Sequence, residues 1–458
     1  MSRFLALYAA GLVLCSVSTG QWLETTVELP PGSYPVMLCY NSLNNKVYCA
    51  NVGQRNVTVI DGASDSVITT VNVGSGPCAI CYNPQNNRAY CANSQTNGVT
   101  VIDGASDSVV TTVPTGYFPC ALCYNSLNNK VYCANEDSGT VTVIDGATNG
   151  VVAVVNAGRE PCALCYNPQD NKVYCANYLD RRVTVIGGVS DSVIATVPTG
   201  GDPCAFCHNP QDNKVYCANQ RSGTVTVIDG VSDSAITTVT TGAYPNALCY
   251  NSQNDQVHCA NQDSGTVAVI DGASNLVITT VTAGDGPCAL CYDPRNNKVY
   301  CANYLSDNVT VIDGASHQVL LTIGVGDGPY GFCHNPQQNR VYVANYEGSS
   351  IAVLRDSGSV GVEERITPNA SRITPKATVV RGVLRIGDSR QNTGYRADRG
   401  DCHYVDCTRG PTLLDASGRK VMELLPGPND VSSLTPGVYF VRVESQGRCS
   451  VQRVQLVR

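Results

Sequence analysis

Residues 77–93 read P-C-A-I-C-Y-N-P-Q-N-N-R-A-Y-C-A-N, and residues 99–113 read V-T-V-I-D-G-A-S-D-S-V-V-T-T-V. The tetrapeptide Tyr90-Cys91-Ala92-Asn93 returns in recognisable form at Tyr48, Tyr132, Tyr174, Tyr216, His258, Tyr300 and Tyr342, always 42 residues from the last. A fixed period of this length marks one supersecondary unit copied in tandem. Four short runs rich in Val, Ile, Thr, Tyr and Cys fit inside it, over 78–82, 88–92, 99–102 and 109–113. Such side chains suit pleated, half-buried strands, and no helical period interrupts them. Asn83 to Asn87 reads as a tight turn, and Asp103-Gly104 as a hairpin pair. A sheet of this size cannot bury both faces alone, so copies must stack. Radial stacking gives a β-propeller.

The ends of the array predict closure. Trp22 to Leu29 has the pattern of a fourth strand, whereas the last copy, from Tyr330 to Leu354, supplies only three. Residues 22–357 span 336 positions, eight periods of 42. The N-terminal strand is therefore expected to complete the last blade, which removes the open edge. The competing solenoid would need polar capping repeats, and none is evident.

The Y-C-A-N tetrapeptide followed by V-T-V-I-D resembles the YVTN-family β-propeller repeat, with Cys where Val is usual except at Val343. After Leu354 the period stops. Residues 358–375 read as a linker and 376–458 as a second, smaller β region. Strands are expected over 378–386, 412–415, 420–424, 438–444 and 451–457, spaced as in an Ig-like sandwich. The runs L-L-D-A-S-G-R-K-V-M, L-T-P-G-V-Y-F-V-R-V and V-Q-R-V-Q-L-V-R resemble the C-terminal sorting domain of type IX secretion cargo. That resemblance implies export across an outer membrane, with the secretion machinery as a partner. A plain Ig-like stalk is the competing reading.

Residues 1–20 have the pattern of a secretory signal, with Arg3, an apolar run over 4–14 and a small-residue exit near Gly20. The run is too short to span a membrane, so no transmembrane segment is expected in the mature chain. Cys15 raises lipid attachment, but Leu14 before it fits that poorly. Residues 1–357 carry 15 basic and 27 acidic side chains, and residues 358–458 carry 15 and 10. An acidic propeller argues against nucleic acid as a partner.

Cysteine is unusually abundant at 24 residues. Five inner strands carry C-x-x-C: Cys78/Cys81, Cys120/Cys123, Cys162/Cys165, Cys204/Cys207 and Cys288/Cys291. Val36, Asn246 and Tyr330 replace the first cysteine elsewhere, beside Cys39, Cys249 and Cys333. The Y-C-A-N position adds Cys49, Cys91, Cys133, Cys175, Cys217, Cys259 and Cys301, and the C-terminal region adds Cys402, Cys407 and Cys449. An exported protein meets oxidising conditions, so disulfides are one reading. Buried thiols serving as small apolar residues are the other. Pairing second with third cysteine strands the fewest, but a four-residue loop over 84–87 sets those two on opposite faces. Connectivity stays open. Zinc would need four ligands in closed geometry, which three sulfurs per blade do not supply.

Cys204-Ala205-Phe206-Cys207-His208 satisfies the C-x-x-C-H haem pattern, yet His208 only replaces the tyrosine of an inner strand. No cofactor is expected. The Asn closing each tetrapeptide and the Asp of V-I-D-G read as turn formers. G-x-S-x-G, H-E-x-x-H and Walker patterns are absent. Near-identical repeats lack the asymmetry that catalysis needs. The departures Val36, His208, Asn246, Tyr330 and His334 fall on the strand expected to line the channel, and are the candidate ligand contacts. The expected role is a secreted or surface binding scaffold and not an enzyme. The alternatives are an adhesin for carbohydrate or protein, and a propeller enzyme or electron-transfer protein with a channel cofactor.

Overall fold

Eight four-stranded antiparallel sheets follow one another along the chain, each built as the repeat predicts. The structure, a computed structural model, describes residues 21–356 and seven strand segments between Thr378 and Leu456. In blade 2 the strands run Pro77–Asn83, Arg88–Asn93, Gly98–Asp103 and Val109–Pro114, named a to d from the axis outward. Asn83 pairs with Arg88, which leaves the four-residue loop expected at 84–87. Asn83 Oδ1 accepts from the Gln85 amide at 2.9 Å, and Asn87 takes the left-handed conformation at φ 51°. Asn tolerates that conformation better than most residues, which explains an Asn or Asp at this place in every blade.

The core lies between blades. Tyr90, Val99, Val101 and Val113 of blade 2 pack against Val131, Cys133 and Ile144 of blade 3. The third strand is apolar on both faces because a neighbouring sheet covers each. Two belts of side-chain hydrogen bonds tie the blades together. In one, an Asn reaches the turn of the next blade, as Asn83 Nδ2 donates to Asn129 Oδ1 at 2.7 Å. In the other, the Tyr of Y-C-A-N donates across the seam, as Tyr48 does to Asp107 Oδ1 at 3.0 Å, beside the Lys46–Asp107 ion pair at 2.7 Å.

The ring closes as expected. Gln21–Glu28 pairs antiparallel with Ser350–Asp356 and becomes strand d of blade 8. Val27 and Leu29 enter one core cluster with Tyr342, Ile351 and Val353 of blade 8 and Val47, Cys49 and Ile60 of blade 1. Glu24 is gripped by Arg340 at 2.7 and 2.9 Å and by Arg355 at 3.0 and 2.6 Å. Blade 8 has no hairpin from strand c to strand d, so V-I-D-G loses its turn duty there. Arg355 occupies the Asp position and holds the incoming strand instead. Asp356 then replaces the missing hairpin acceptor, bonding Tyr300 at 2.6 Å and Lys298 at 2.7 Å.

Gly331 stands where six other blades have Ala, at Ala79 for example. A Cβ there would lie 2.3 Å from the Val36 carbonyl oxygen of blade 1. Gly331→Ala is therefore expected to lower stability by about 1–3 kcal/mol, because backbone must shift. Ala79→Gly in an ordinary blade supplies the comparison by denaturant melt. Equal effects at the two sites would contradict a tight closing seam.

The C-terminal segments form a unit of their own. One sheet orders Thr378–Val380, Val383–Ile386 and Gly427–Asp430; the other orders Lys420–Glu423, Thr412–Leu414, Gly437–Ser445 and Arg448–Leu456. The single strand expected over 378–386 is two, Thr378–Val380 and Val383–Ile386, which pair antiparallel with Val380 opposite Val383. Segment Gly427–Asp430 was not anticipated. The signal segment 1–20, the linker 358–375, Cys402 and Cys407 lie outside the described residues.

Candidate functional site

Antiparallel order places the b–c and d–a loops of every blade on one face. Three repeat positions form the channel mouth there: the residue before the strand-a proline, the residue after it, and the residue after the tetrapeptide. The proline-preceding residue takes a left-handed φ throughout. Three blades use Gly76, Gly286 and Gly328, which adopt it freely. The other five hold side chains there, with Tyr34 at φ 50°, Phe118 at 54°, Glu160 at 52°, Asp202 at 58° and Tyr244 at 61°. For bulky residues this conformation costs roughly 1–2 kcal/mol each. Such strain clusters where side chains must be presented to a ligand.

The five candidate contacts do not converge. Val36, Asn246 and Tyr330 occupy the proline-following position at this mouth. His208 and His334 lie toward the opposite end of strand a. Asn246 is engaged with Gln262 at 2.8 Å, and Val36 is buried. Burial pushes the His208 and His334 imidazoles below their ordinary value, and His334 stands 3.5 Å from Asp293. Tyr330 alone is prominently exposed, at 47%. It joins a run the sequence reading missed. Ring centroids are 6.1 Å apart for Tyr304–Tyr330, 6.0 Å for Tyr330–Tyr346 and 5.0 Å for Tyr346–Tyr34. The run crosses blades 7, 8 and 1.

The opposite arc of the mouth is acidic. Glu136, Glu160, Cys162, Tyr178, Cys204 and Gln220 line a recess of about 280 Å³. A shallower one of about 630 Å³ adjoins it, bounded by Tyr178, Asp202, Gln220, Arg221, Tyr244 and Asp263. Burial first, then the charges of Glu160 and Asp137, raises the Glu136 carboxyl above its ordinary value. The signal for these residues was the variable position after each tetrapeptide. It reads Val52, Ser94, Glu136, Tyr178, Gln220, Gln262, Tyr304 and Tyr346 while its neighbours repeat.

All twenty cysteines of residues 21–356 are free thiols, so the disulfide reading is not met among them. Register explains why. Cys91 stands opposite Ile80 and Cys81 opposite Tyr90, so Cys81 and Cys91 face opposite sides. Cys78 sits in a bulge, and its thiol donates to the Pro119 carbonyl of the next blade at 3.2 Å. The same inter-blade contact recurs from Cys120, Cys162, Cys204 and Cys288. Burial pushes Cys78 up to about 11 and Cys81 to about 12. These thiols are thus neutral and poor nucleophiles at neutral pH. Among the described residues no three His, Cys, Asp or Glu side chains converge as metal ligands. In the native protein these twenty thiols should resist iodoacetamide at neutral pH. In denaturant without reductant all twenty should be alkylated, as read by mass; a shortfall by pairs would mean disulfides.

The tetrapeptide asparagines are buried turn formers: Asn93 Nδ2 donates to the Gly98 carbonyl at 3.1 Å and to Thr100 Oγ1 at 2.9 Å. Asp103 Oδ1 accepts from the Ser106 amide at 2.8 Å, closing its hairpin. The C-x-x-C-H run lies inside strand a of blade 5, Pro203–Asn209.

Fold and mouth together define an eight-bladed β-propeller with one differentiated rim. Residues 96–289 match the family model described as YNCE-like beta-propeller. No curated protein matches the chain. Among solved structures it is similar to Kuenenia stuttgartiensis hydrazine synthase, with TM-score 0.53 and 16% identity over 73% of this chain and 98% of that one. It is also similar to Sqt1 of Saccharomyces cerevisiae, with TM-score 0.64 and 11% identity over 73% of this chain and all of that one. At these identities the likeness is one of fold.

Proposed function

We propose that this chain is a non-catalytic binding propeller whose ligand docks at the channel mouth, and that it is exported to the cell surface or the medium. The observation that carries the binding role is the rim itself. The blade cores repeat closely, yet the mouth positions differ from blade to blade and collect a tyrosine run and an acidic recess. Ligand sites on propellers are built this way, on loops held by a rigid scaffold. The signal pattern of residues 1–20 and the resemblance of residues 376–458 to type IX sorting domains support export, with the secretion machinery as partner. Among the described residues no helix is long and apolar enough to cross a membrane.

Probing glycan and protein arrays with the full chain, and with Tyr330→Cys, tests the binding role. Cysteine is the residue five other blades carry there, so this variant should fold. A ligand captured by the parent and lost by the variant is expected. A ligand indifferent to Tyr330, or steady turnover of a substrate, would contradict the reading. Removing residues 358–458 should keep the propeller inside a type IX-competent host. Secretion without them would overturn the sorting assignment.

A further inference from the structure

The mouth pairs two chemistries across one opening. On one arc, four tyrosine rings succeed one another at 5.0 to 6.1 Å, with Tyr330 and Tyr34 exposed by 47% and 37%. Rings at these separations touch, so they form a platform and not an open cage. On the other arc, Glu136 and Glu160 share a recess, and none of the ion pairs among the described residues involves either. Burial and then the Glu160 charge raise the Glu136 carboxyl above its ordinary value. Cys78, in the first strand of blade 2, stands on the rim between Tyr34 of blade 1 and Glu136 of blade 3, so both arcs border one opening.

We propose that the mouth captures a basic peptide segment of a partner protein, its lysine or arginine seated between Glu136 and Glu160 and its flanking apolar side chains laid on Tyr304, Tyr330, Tyr346 and Tyr34. The assignment rests on the mouth being the binding site and adds the ligand's chemistry. A cation relieves the repulsion in the recess and gains cation–π contact with Tyr178, which lines it. A neutral sugar could stack on the tyrosines but would leave the two carboxylates opposed and unpaired. The acidic excess of residues 1–357, 27 against 15, steers a basic partner inward. The strained φ of Glu160 is consistent with a carboxylate held in place for use.

The test uses the full chain and three fluorescent hexapeptides, Arg-Trp-Arg-Trp-Arg-Trp and its Ser-Trp and Glu-Trp counterparts, read by polarisation at low and high salt. The arginine peptide should bind, weaken with salt, and lose about tenfold, or about 1.4 kcal/mol, in Glu136→Gln/Glu160→Gln and in Tyr330→Cys. Glu28→Gln removes one charge from the exposed outer strand of blade 8 and should change nothing, whereas Glu136→Gln alone should weaken binding. Equal losses from Glu28→Gln and Glu136→Gln would reduce the effect to net charge and overturn the proposal. So would binding of the serine or glutamate peptide as tight as the arginine one, or no binding of the arginine peptide. If the arrays yield a ligand that needs Tyr330 while the arginine peptide fails, the cation assignment falls and the mouth as binding site stands.

Discussion

Removing residues 21–28 is expected to convert the propeller from one cooperative unit into an opened array that associates edge to edge. The strand supplies the whole outer edge of blade 8, pairing from Gln21↔Asp356 to Glu28↔Ser350. Without it the Ser350–Asp356 backbone is an unpaired edge, which recruits other chains. Val27 also leaves the cluster joining blades 8 and 1, and Leu29 loses the strand that seats it there. Arg340, only 7% exposed, loses one of its two carboxylate partners and keeps Asp65 at 3.0 Å. Breaking a buried pair from one side costs about 3–5 kcal/mol, and the partial exposure of Glu24 and Arg355 places Glu24→Ala nearer 2–3 kcal/mol. Size exclusion and thermal melts read both variants. Glu24→Ala should stay monomeric with a lower Tm, whereas the truncation should aggregate. An excess of a peptide spanning residues 21–29 should restore the truncated protein. A truncation that melts like the parent would contradict closure by this strand.

Acid should attack one particular seam. Lowering the pH from 7 to 4 is expected to remove about 3 kcal/mol of stability through His258 alone. Every other tetrapeptide tyrosine donates across its seam to Asp or Asn, as Tyr216 does to Asn275 at 3.0 Å. In blade 6 the tyrosine is His258 and its acceptor, 59 positions on, is His317. The rings stand 6.4 Å apart, and His258 is fully buried with neither nitrogen hydrogen-bonded in the structure. Gln256 replaces the usual basic residue and takes His317 at 3.0 Å. Burial, then His317, pushes the His258 imidazole down to about 3 from an ordinary 6.5. The folded pKa is thus below the unfolded one. Between them the unfolded chain binds more protons, so stability is present above about 6.5 and drains as pH falls toward 3. Restoring the repeat with His258→Tyr and His317→Asp should flatten that dependence. Denaturant midpoints across this pH range decide it; parallel curves for parent and double variant would exclude His258 as the cause.

Much of the fold was legible because the repeat states it eight times. The turn asparagines, the hairpin aspartates and the missing fourth strand of the last copy each follow from local chemistry that recurs in register. The site was less legible, for a related reason. Departures on strand a stood out in the sequence but fall at different ends of the channel, with Val36, Asn246 and Tyr330 at the mouth and His208 and His334 away from it. The mouth is assembled from positions that vary by design of the loops, and Tyr304, Tyr346 and Glu136 look ordinary until adjacent blades bring them together. The His258–His317 pair was hidden by its 59-residue separation, although six of the seven tyrosine staples use the same or nearly the same spacing. The cysteines stayed undecided because spacing cannot distinguish a thiol bonded to a neighbouring blade's carbonyl from half of a disulfide.

Closure of eight equal blades about one axis underlies every prediction above. Electron cryo-microscopy of particles viewed down the axis tests it most directly. Averages should show a closed ring of eight sheets, each four strands deep, with the outermost strand of one sheet traceable to the N-terminal segment. An open arc, or a ring of seven with one sheet outside it, would contradict the account.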